Sequence, residues 1–210
     1  MTLGVGCVVE PGAIVIVDSA RLVYQKDGGF TTKITDDKLL MAEAVTDRDV
    51  RIVVAHAGPS FPEIRQRSLP ADDDFAGAAH TVWRAFTENT RWPSYVPADH
   101  RINEHEALIA GGRPGEPVRL QRWGTDSPPR EADLGSLFGI GLASGSWQPR
   151  PLRTLVDAIA ASMELFTEKI RQAVRDGISG AAAWPAHVAI VTPESVETYE
   201  FGETHPDCLW

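Results

Sequence analysis

Short apolar runs separated by turn-forming residues dominate the first quarter of the chain. The runs over 2–9 and 13–19 flank the triplet "EPG", and this pattern predicts a β-hairpin because two β-rich runs meet at a Pro-Gly turn. The runs "KLLMAEAV" and "VRIVVAHAG", separated by "TDRD", predict a second pair of strands. We expect a polar, glycine-containing connection between the two pairs.

Two later segments carry the spacing of apolar residues that is typical of amphipathic helices. The first, "FAGAAHTVWRAFTEN", follows the acidic run "DDD", which favours a helix N-terminus through the helix dipole. The second, "PLRTLVDAIAASMELFTEKIRQAVRDG", has Pro151 at its start and Gly177 at its end. Proline near the start and glycine after the end are the usual asymmetry of a helix.

Apolar runs of strand length lie between and after the predicted helices. A hairpin is predicted around the turn "RPGE", and a long loop over "GTDSPPREADLG". The order of strands, helices, strands, helix and strands favours an α+β fold in which helices cover sheets, and it does not fit a doubly wound parallel sheet. We predict a single domain over 1–210 with a tail over 202–210. The later strands are expected in "HEALIAGG", "PVRLQRW", "SLFGIGLA", "HVAIVT" and "VETYEF".

Composition and charge exclude several classes of protein. With 210 residues, the chain is long enough for one sizeable domain with a buried core. Its net charge of −9 argues against a nucleic-acid partner, because phosphate binding needs a basic face. The first apolar run is interrupted by "EPG" and has no basic region before it, so we predict neither a signal peptide nor a membrane span.

The sequence does not contain the common motifs for binding a metal or a cofactor. Cys7 and Cys208 form no disulfide framework, which fits a cytoplasmic protein, and Cys7 lies in an apolar run where a buried, inert thiol is expected. The stretch "HRINEHE" lacks the helical spacing of a zinc motif. "GIGLASG" has no βαβ unit around it, and "GGRPGEP" lacks the Lys-Ser/Thr of a phosphate loop. We therefore expect no metal site and no cofactor.

Thr2, the first residue of the first predicted strand, offers acyl-transfer chemistry if Met1 is removed. An N-terminal threonine carries a hydroxyl nucleophile and an α-amine of ordinary pKa ~8 that can act as its base. Asp18 ends the second run of the predicted hairpin and returns to the level of Thr2 when the strands pair antiparallel. A lysine between the two groups would lower the pKa of the hydroxyl. Strand propensity alone also accounts for a threonine at this position.

Several short motifs then follow in one order along the chain. After Thr2, Asp18 and a lysine come "AHAG" ending at Gly58, "EALIAGG", "LASGSW" containing Ser144, and "DGISG" containing Asp176 and Ser179, with "HVAIVT" after it. This order resembles the proteasome β-subunit family of N-terminal threonine hydrolases. That family includes the bacterial HslV-type peptidases and the bacterial proteasome-like Anbu proteins.

The resemblance implies a fold and a set of roles. The implied fold is a four-layer αββα sandwich of two antiparallel sheets, the N-terminal-nucleophile (Ntn) hydrolase type. The implied function is a threonine protease that hydrolyses peptide bonds. Its nucleophile would be Thr2, Asp18 would orient the catalytic lysine, and the Gly58 N–H would be the oxyanion donor. Ser144, Asp176 and Ser179 would fix the orientation and protonation of the amine.

Two lysines compete for the catalytic role. Lys33 is closer to the spacing from Asp18 that is usual in the family. Lys38 begins the strand pair that leads to Gly58, and "KLL" has the expected apolar continuation. We favour Lys38, keep Lys33 as the alternative, and expect Lys33 on an exposed loop.

The resemblance also implies partners and an assembly. Peptides or unfolded proteins would be the substrates, an ATPase or unfoldase would be a partner, and the subunits would form a homo-oligomeric ring or spiral. The family usually has two helices between the positions of Ser144 and Asp176, and they help form the contacts between rings. Only one long helix is predicted here, so the resemblance implies a ring or spiral but not specifically a double ring. Two other functions remain open: a non-catalytic ring or scaffold protein of the same fold, and a dedicated amidase or transpeptidase.

Overall fold

The computed structural model describes 2–24, 30–34, 39–43, 50–58, 74–88, 94, 96–98, 101, 104–147, 151–178, 182 and 184–202, with the backbone alone between 21 and 43. The first six strands are β1 (Leu3–Val9), β2 (Gly12–Asp18), β3 (Ala20–Tyr24), β4 (Phe30–Ile34), β5 (Leu39–Glu43) and β6 (Arg51–Ala57). Helix α1 (Phe75–Glu88) is followed by β7 (Glu106–Gly112), β8 (Arg119–Gly124), β9 (Ser127–Glu131), β10 (Leu137–Gly141) and β11 (Gly145–Trp147). Helix α2 (Leu155–Arg175) precedes β12 (Ala186–Val191) and β13 (Val196–Phe201).

The strands form two main sheets and a separate hairpin. One sheet has six strands in the order β11-β10-β1-β2-β12-β13, and the other has five in the order β5-β6-β7-β8-β9. Strands β3 and β4 pair only with each other within the described residues. All described pairings are antiparallel, which agrees with the hairpins that the sequence predicts.

Three apolar clusters arrange the sheets and helices in four layers. The first cluster lies between the sheets and joins Val15 of β2 to Val53 of β6. The second joins β1 and β2 to Phe166 of α2, and the third joins β6 and β7 to Phe86 of α1. The order α2, six-stranded sheet, five-stranded sheet, α1 is the predicted αββα sandwich. Every residue of β1 and β2 is buried because these central strands are covered on both faces.

Local signals explain where the helices begin and end. Asp74 precedes α1, and its Oδ1 accepts a hydrogen bond from the Gly77 N–H at 2.7 Å. Thr154 is the N-cap of α2, where its side chain accepts from the Asp157 N–H. Gly177 follows α2 with a φ of +69°, a conformation that glycine adopts without strain. Both helices are therefore confirmed close to their predicted bounds.

Two predictions about connections are wrong. Strand β9 occupies part of the segment "GTDSPPREADLG", which the sequence predicts as a loop. All five of its residues are exposed, and prolines are tolerated because β9 is an edge strand. The polar connection after Asp18 contains β3 and β4, so Lys33 lies in a strand opposite Arg21 and not in a loop. These segments are strands because they pair with a neighbouring strand, and the pattern of apolar residues within a segment does not reveal such pairing.

Neither helix that the structure describes is long and apolar enough to cross a bilayer.

Candidate active site at the Thr2 end of the sandwich

Strand pairing places Thr2 between the ends of β2 and β10. Leu3, the first residue of β1, pairs with Gly141 on one side, and Gly4 pairs with Val17 on the other. Thr2 is 6% exposed, and its carbonyl accepts a hydrogen bond from the Leu142 N–H at 2.9 Å. Thr2 is thus held at the end of a central strand, in the position the hairpin pattern predicts.

The Asp18 carboxylate fixes the backbone next to Thr2. Its Oδ1 accepts from the Leu3 N–H at 2.8 Å, and its Oδ2 accepts from the Ala20 N–H at 2.9 Å. Asp18 is completely buried, so these bonds satisfy a carboxylate that burial would otherwise penalise strongly. The predicted proximity of Asp18 and Thr2 is therefore present in the fold.

Glu106 links the two sheets at this end of the sandwich. One carboxylate oxygen, Oε2, accepts from the Gly141 N–H at 2.6 Å, and the other, Oε1, accepts from the Ser144 hydroxyl at 2.8 Å. Arg122 from the neighbouring strand forms an ion pair with Glu106 and donates to Ser144 Oγ at 2.7 Å. The loop that carries Ser144 is therefore bound to β7 and β8 of the opposite sheet.

Sequence reasoning identified Ser144 but missed Glu106 and Arg122. Each is one polar residue on a strand, and its partners lie 16 to 38 positions away along the chain. A single charged residue near the end of a strand gives no sign in the sequence of the partner that it meets. Their convergence on Ser144 follows from the packing of the two sheets.

Gly58 lies at the same end of the molecule. It follows Ala57, which pairs with Glu106 across β6 and β7. Its φ is +133°, and a Cβ added to it would lie 2.8 Å from the Glu104 carbonyl oxygen and 3.0 Å from His105 Nδ1. The close approach and the positive φ require glycine. The fold thus brings Gly58 and the Thr2 region to one end of the sandwich.

A buried pair of histidines lies beneath Gly58. His56 Nε2 is 2.9 Å from His105 Nδ1, and the His56 ring stacks on Phe86 with centroids 4.2 Å apart. Burial first, and then the neighbouring His105, lower the pKa of His56 from 6.5 to about 3. Burial also lowers the pKa of His105. Both rings are therefore neutral at physiological pH, and the N–H of one ring donates a hydrogen bond to the ring nitrogen of the other.

Comparison with known proteins was made by sequence and by structure. No protein-family model matches the sequence, and no curated protein matches it. Solved structures of Anbu proteins, however, match nearly the whole chain. Anbu from Hyphomicrobium sp. strain MC1 is 16% identical with a TM-score of 0.64, and the match covers 98% of this chain and 89% of that one.

Two further Anbu structures give the same result. The Anbu complex from Pseudomonas aeruginosa, solved as a helical assembly, is 13% identical with a TM-score of 0.65, covering 98% of this chain and 88% of the other. Anbu from Yersinia bercovieri, described as an ancestral beta-subunit, is 18% identical with a TM-score of 0.61, covering 98% and 89%. The chain shares the fold of the Anbu proteins. At these identities the likeness concerns the fold, and the Anbu branch of the resemblance is the one it supports.

Some of the predicted site residues are not among the residues that the structure describes, or are described only in part. Ser179 and Lys38 are not among the described residues, and of Lys33 only the backbone in β4 is described. Asp176 is exposed at the end of α2, where its N–H donates to the Gln172 carbonyl at 2.9 Å. Among the described residues, no hydrogen bond joins its carboxylate to Thr2 or Ser144. The Anbu-like fold therefore brings Thr2, Asp18, Gly58 and Ser144 to one end but leaves Asp176 without such a contact.

Outside this cluster, Cys7 and the metal-binding residue types offer no further chemistry within the described residues. Burial raises the pKa of the Cys7 thiol to about 12, so the thiolate that acts as a nucleophile is not formed at neutral pH. The prediction of a buried, inert Cys7 is confirmed by its 0% exposure. Within the described ranges, no group of three or more His, Cys, Asp and Glu side chains is arranged to hold a metal ion.

Changing Gly141 tests how closely the loop after β10 contacts Thr2. A Cβ at Gly141 would lie 1.9 Å from the Thr2 carbonyl oxygen, and the residue has a φ of +63°. We expect Gly141→Ala to displace Thr2 and to lower the melting temperature more than Gly115→Ala does. Gly115 has a φ of +79° with open space around it, so its variant should show only the backbone cost of about 1–2 kcal/mol. Equal melting temperatures of the two variants would contradict the contact.

The histidine pair predicts how stability depends on pH. An unfolded histidine binds a proton below pH 6.5, whereas folded His56 remains neutral until about pH 3. The free energy of unfolding should therefore fall as pH decreases from 6.5, by about 2 kcal/mol at pH 5 from His56 alone. Urea unfolding at several pH values measures this change.

Two variants separate the histidine contribution from that of the carboxylates. His56→Gln keeps a hydrogen-bonding atom for His105 but does not titrate. The slope of its free energy of unfolding against pH should therefore be smaller by the contribution of about one proton. His80→Gln makes the same substitution at an exposed position of α1 and is the matched control. An unaltered pH dependence in His56→Gln would refute the assignment.

Proposed function

We propose that this protein is a proteasome-like subunit of the Ntn-hydrolase type that acts as a threonine peptidase. The observation that carries the proposal is the placement of Thr2 at the start of a central strand. There the buried Asp18 carboxylate binds the next backbone N–H, and the loop after β10 binds the Thr2 carbonyl. Such a threonine is pre-positioned, which is what nucleophilic catalysis requires.

The mechanism requires Met1 to be removed so that Thr2 has a free α-amine. The Thr2 hydroxyl attacks the peptide carbonyl while its amine, directly or through water, takes the hydroxyl proton. The C–N bond then breaks, the proton goes to the leaving amine, and the acyl group stays as an ester on Thr2. Water attacks this ester, the amine again takes a proton, and the carboxylic acid product leaves as the hydroxyl is restored.

The other residues would stabilise charge during these steps. Lys38 would lower the pKa of the Thr2 hydroxyl, with Lys33 as the alternative, and Asp18 would orient the lysine. The Gly58 N–H would donate to the developing oxyanion, a contribution of about 3–4 kcal/mol for a single donor. Ser144, together with Asp176 and Ser179, would orient the amine. The position of Gly58 at the Thr2 end supports the oxyanion role.

An assembly that encloses the site is part of the proposal. A peptidase in the cytoplasm has to keep its nucleophile away from folded proteins, and a ring or spiral achieves this by geometry. The likeness to the helically assembled Anbu of Pseudomonas aeruginosa supports a homo-oligomer. Peptides or unfolded proteins, supplied by an ATPase or unfoldase, would reach the sites. Light scattering at micromolar concentration should give a mass well above that of a single 22.9 kDa chain.

One set of measurements on the purified protein separates the candidate functions. Intact mass spectrometry determines whether Met1 is removed, and a panel of fluorogenic peptides measures hydrolysis. We expect a processed chain, cleavage of several peptides, and a transient mass increase on Thr2. A processed oligomer that cleaves no peptide would favour a ring or scaffold protein. Product formation that requires an added amine acceptor would favour a dedicated transpeptidase.

A further inference from the structure

We propose that Glu106 and Arg122 are positioning residues for Thr2, acting through the loop formed by 141–144. The two side chains lie on the sheet opposite to Thr2 and contact both ends of this loop. The inference rests on the proposed function in one respect, namely that the Thr2 α-amine is the catalytic base. It assigns to the five-stranded sheet a part in setting the geometry and charge around that amine.

Glu106 holds the loop at two points. One carboxylate oxygen binds the Gly141 N–H, and the other binds the Ser144 hydroxyl. Between these points the Leu142 N–H donates to the Thr2 carbonyl. A carboxylate with both oxygens bound is fixed in orientation, so Glu106 determines where the loop, and through it Thr2, is placed.

The same contacts determine the orientation of the Ser144 hydroxyl. Ser144 Oγ–H donates to Glu106, while its oxygen accepts from the Arg122 guanidinium. A hydroxyl has one proton and two lone pairs, so one lone pair remains available. Ser144 can therefore act toward a nearby amine only as an acceptor, which is the role that orients an α-amine or binds its ammonium form.

The charges of the pair offset each other close to Thr2. The Glu106 and Arg122 side chains are 23% and 19% exposed, so water screens them less than a surface pair. Asp18 at the end of β2 binds the Leu3 N–H next to Thr2, and burial lowers the pKa of His105, which directly precedes β7. The side chains of Lys33 and Lys38 are not described. Removing one member of the pair therefore leaves one unbalanced charge near the amine.

Single neutralising variants should shift the pKa of the Thr2 amine in opposite directions. Glu106→Gln leaves the Arg122 cation unbalanced, which disfavours the ammonium and lowers the amine pKa. Arg122→Gln leaves the Glu106 anion unbalanced, which raises it. We expect shifts of ~0.5 pH unit each way, from one charge acting across a partly solvated site. The acid limb of the kcat/KM profile should move with the amine pKa.

The amine pKa is measured directly on the full-length processed protein. The rate of reductive methylation at Thr2, followed by mass spectrometry across a range of pH, reports it without any catalytic activity. The matched control is the pair Arg119 and Glu131, which also joins neighbouring strands but is 40% and 44% exposed. Arg119→Gln and Glu131→Gln make the same charge changes away from Thr2 and should leave the amine pKa unchanged.

A third variant separates position from charge. Glu106→Asp keeps the negative charge but is too short to bind Gly141 and Ser144 together, so kcat should fall while the amine pKa stays near that of the unchanged protein. It also serves if Glu106→Gln does not fold. Shifts in the same direction, or shifts no larger than those of the control pair, would overturn the inference. A processed protein that cleaves no peptide but shows the opposite shifts would refute the proposed function and leave the positioning network standing.

Discussion

Replacing Thr2 with alanine is expected to abolish peptide hydrolysis and to leave the fold intact. The variant removes the hydroxyl oxygen that attacks the peptide carbonyl in the proposed mechanism, so no acyl-enzyme can form. We expect kcat/KM to fall at least about a thousand-fold, because removing the nucleophile costs at least that much in hydrolases that form an acyl-enzyme. Intact mass spectrometry should at the same time show no acyl adduct at Thr2.

Two further variants make the Thr2 result specific. Thr2→Ser keeps both the hydroxyl and the amine, so it should retain part of the activity. Thr198→Ala changes an exposed threonine on β13 and should match the unchanged protein in activity and stability. Circular dichroism and thermal melting of all three variants would show whether the fold is kept. Hydrolysis by Thr2→Ala at the unchanged rate would make the mechanism wrong.

Replacing Asp18 with asparagine is expected to reduce both stability and activity. Each carboxylate oxygen accepts from a backbone N–H, at Leu3 and at Ala20, in a completely buried position. An asparagine can keep one of these bonds, but its NH₂ group then faces the other N–H, and that buried donor loses its acceptor. We expect a loss of about 2 kcal/mol in the free energy of unfolding, or about 4–8 °C in Tm.

The activity of Asp18→Asn should fall for two separate reasons. The start of β1 is released, which displaces Thr2, and the proposed catalytic lysine loses its anionic partner. Asp74→Asn is the matched control, because Asp74 also binds a backbone N–H but at an exposed helix start, where asparagine caps equally well. Its stability should change by less than about 0.5 kcal/mol. Asp18→Asn with unchanged stability and activity would contradict the site.

Much of the architecture could be predicted because it depends on local patterns. The hairpin of β1 and β2 follows from two apolar runs around a turn, and helix α2 follows from its apolar spacing and its terminal signals. The same hairpin pattern placed Asp18 beside Thr2, because antiparallel pairing brings the end of one strand next to the start of the other. This part of the site is encoded within the first twenty residues.

The strands that were missed lack such a pattern. β9 is exposed along its whole length and contains two prolines, so neither alternation nor propensity marks it as a strand. β3 and β4 lie in a segment whose polar residues and glycines favour a loop prediction. Both cases depend on backbone pairing with another strand, which the composition of a segment does not report.

The sequence by itself determined the β1–β2 hairpin with its buried strands, the two helices and the proximity of Asp18 to Thr2. Only the tertiary structure decided that Glu106 and Arg122 meet Ser144 beside Thr2, and that Gly58 lies at the same end. These residues belong to different sheets, and their contacts arise when the two sheets pack face to face. The register of that packing is set by the whole apolar core between the sheets, to which each polar residue at the rim contributes little. A motif search therefore finds Thr2 but not the side chains of the opposite sheet that bind the loop next to it.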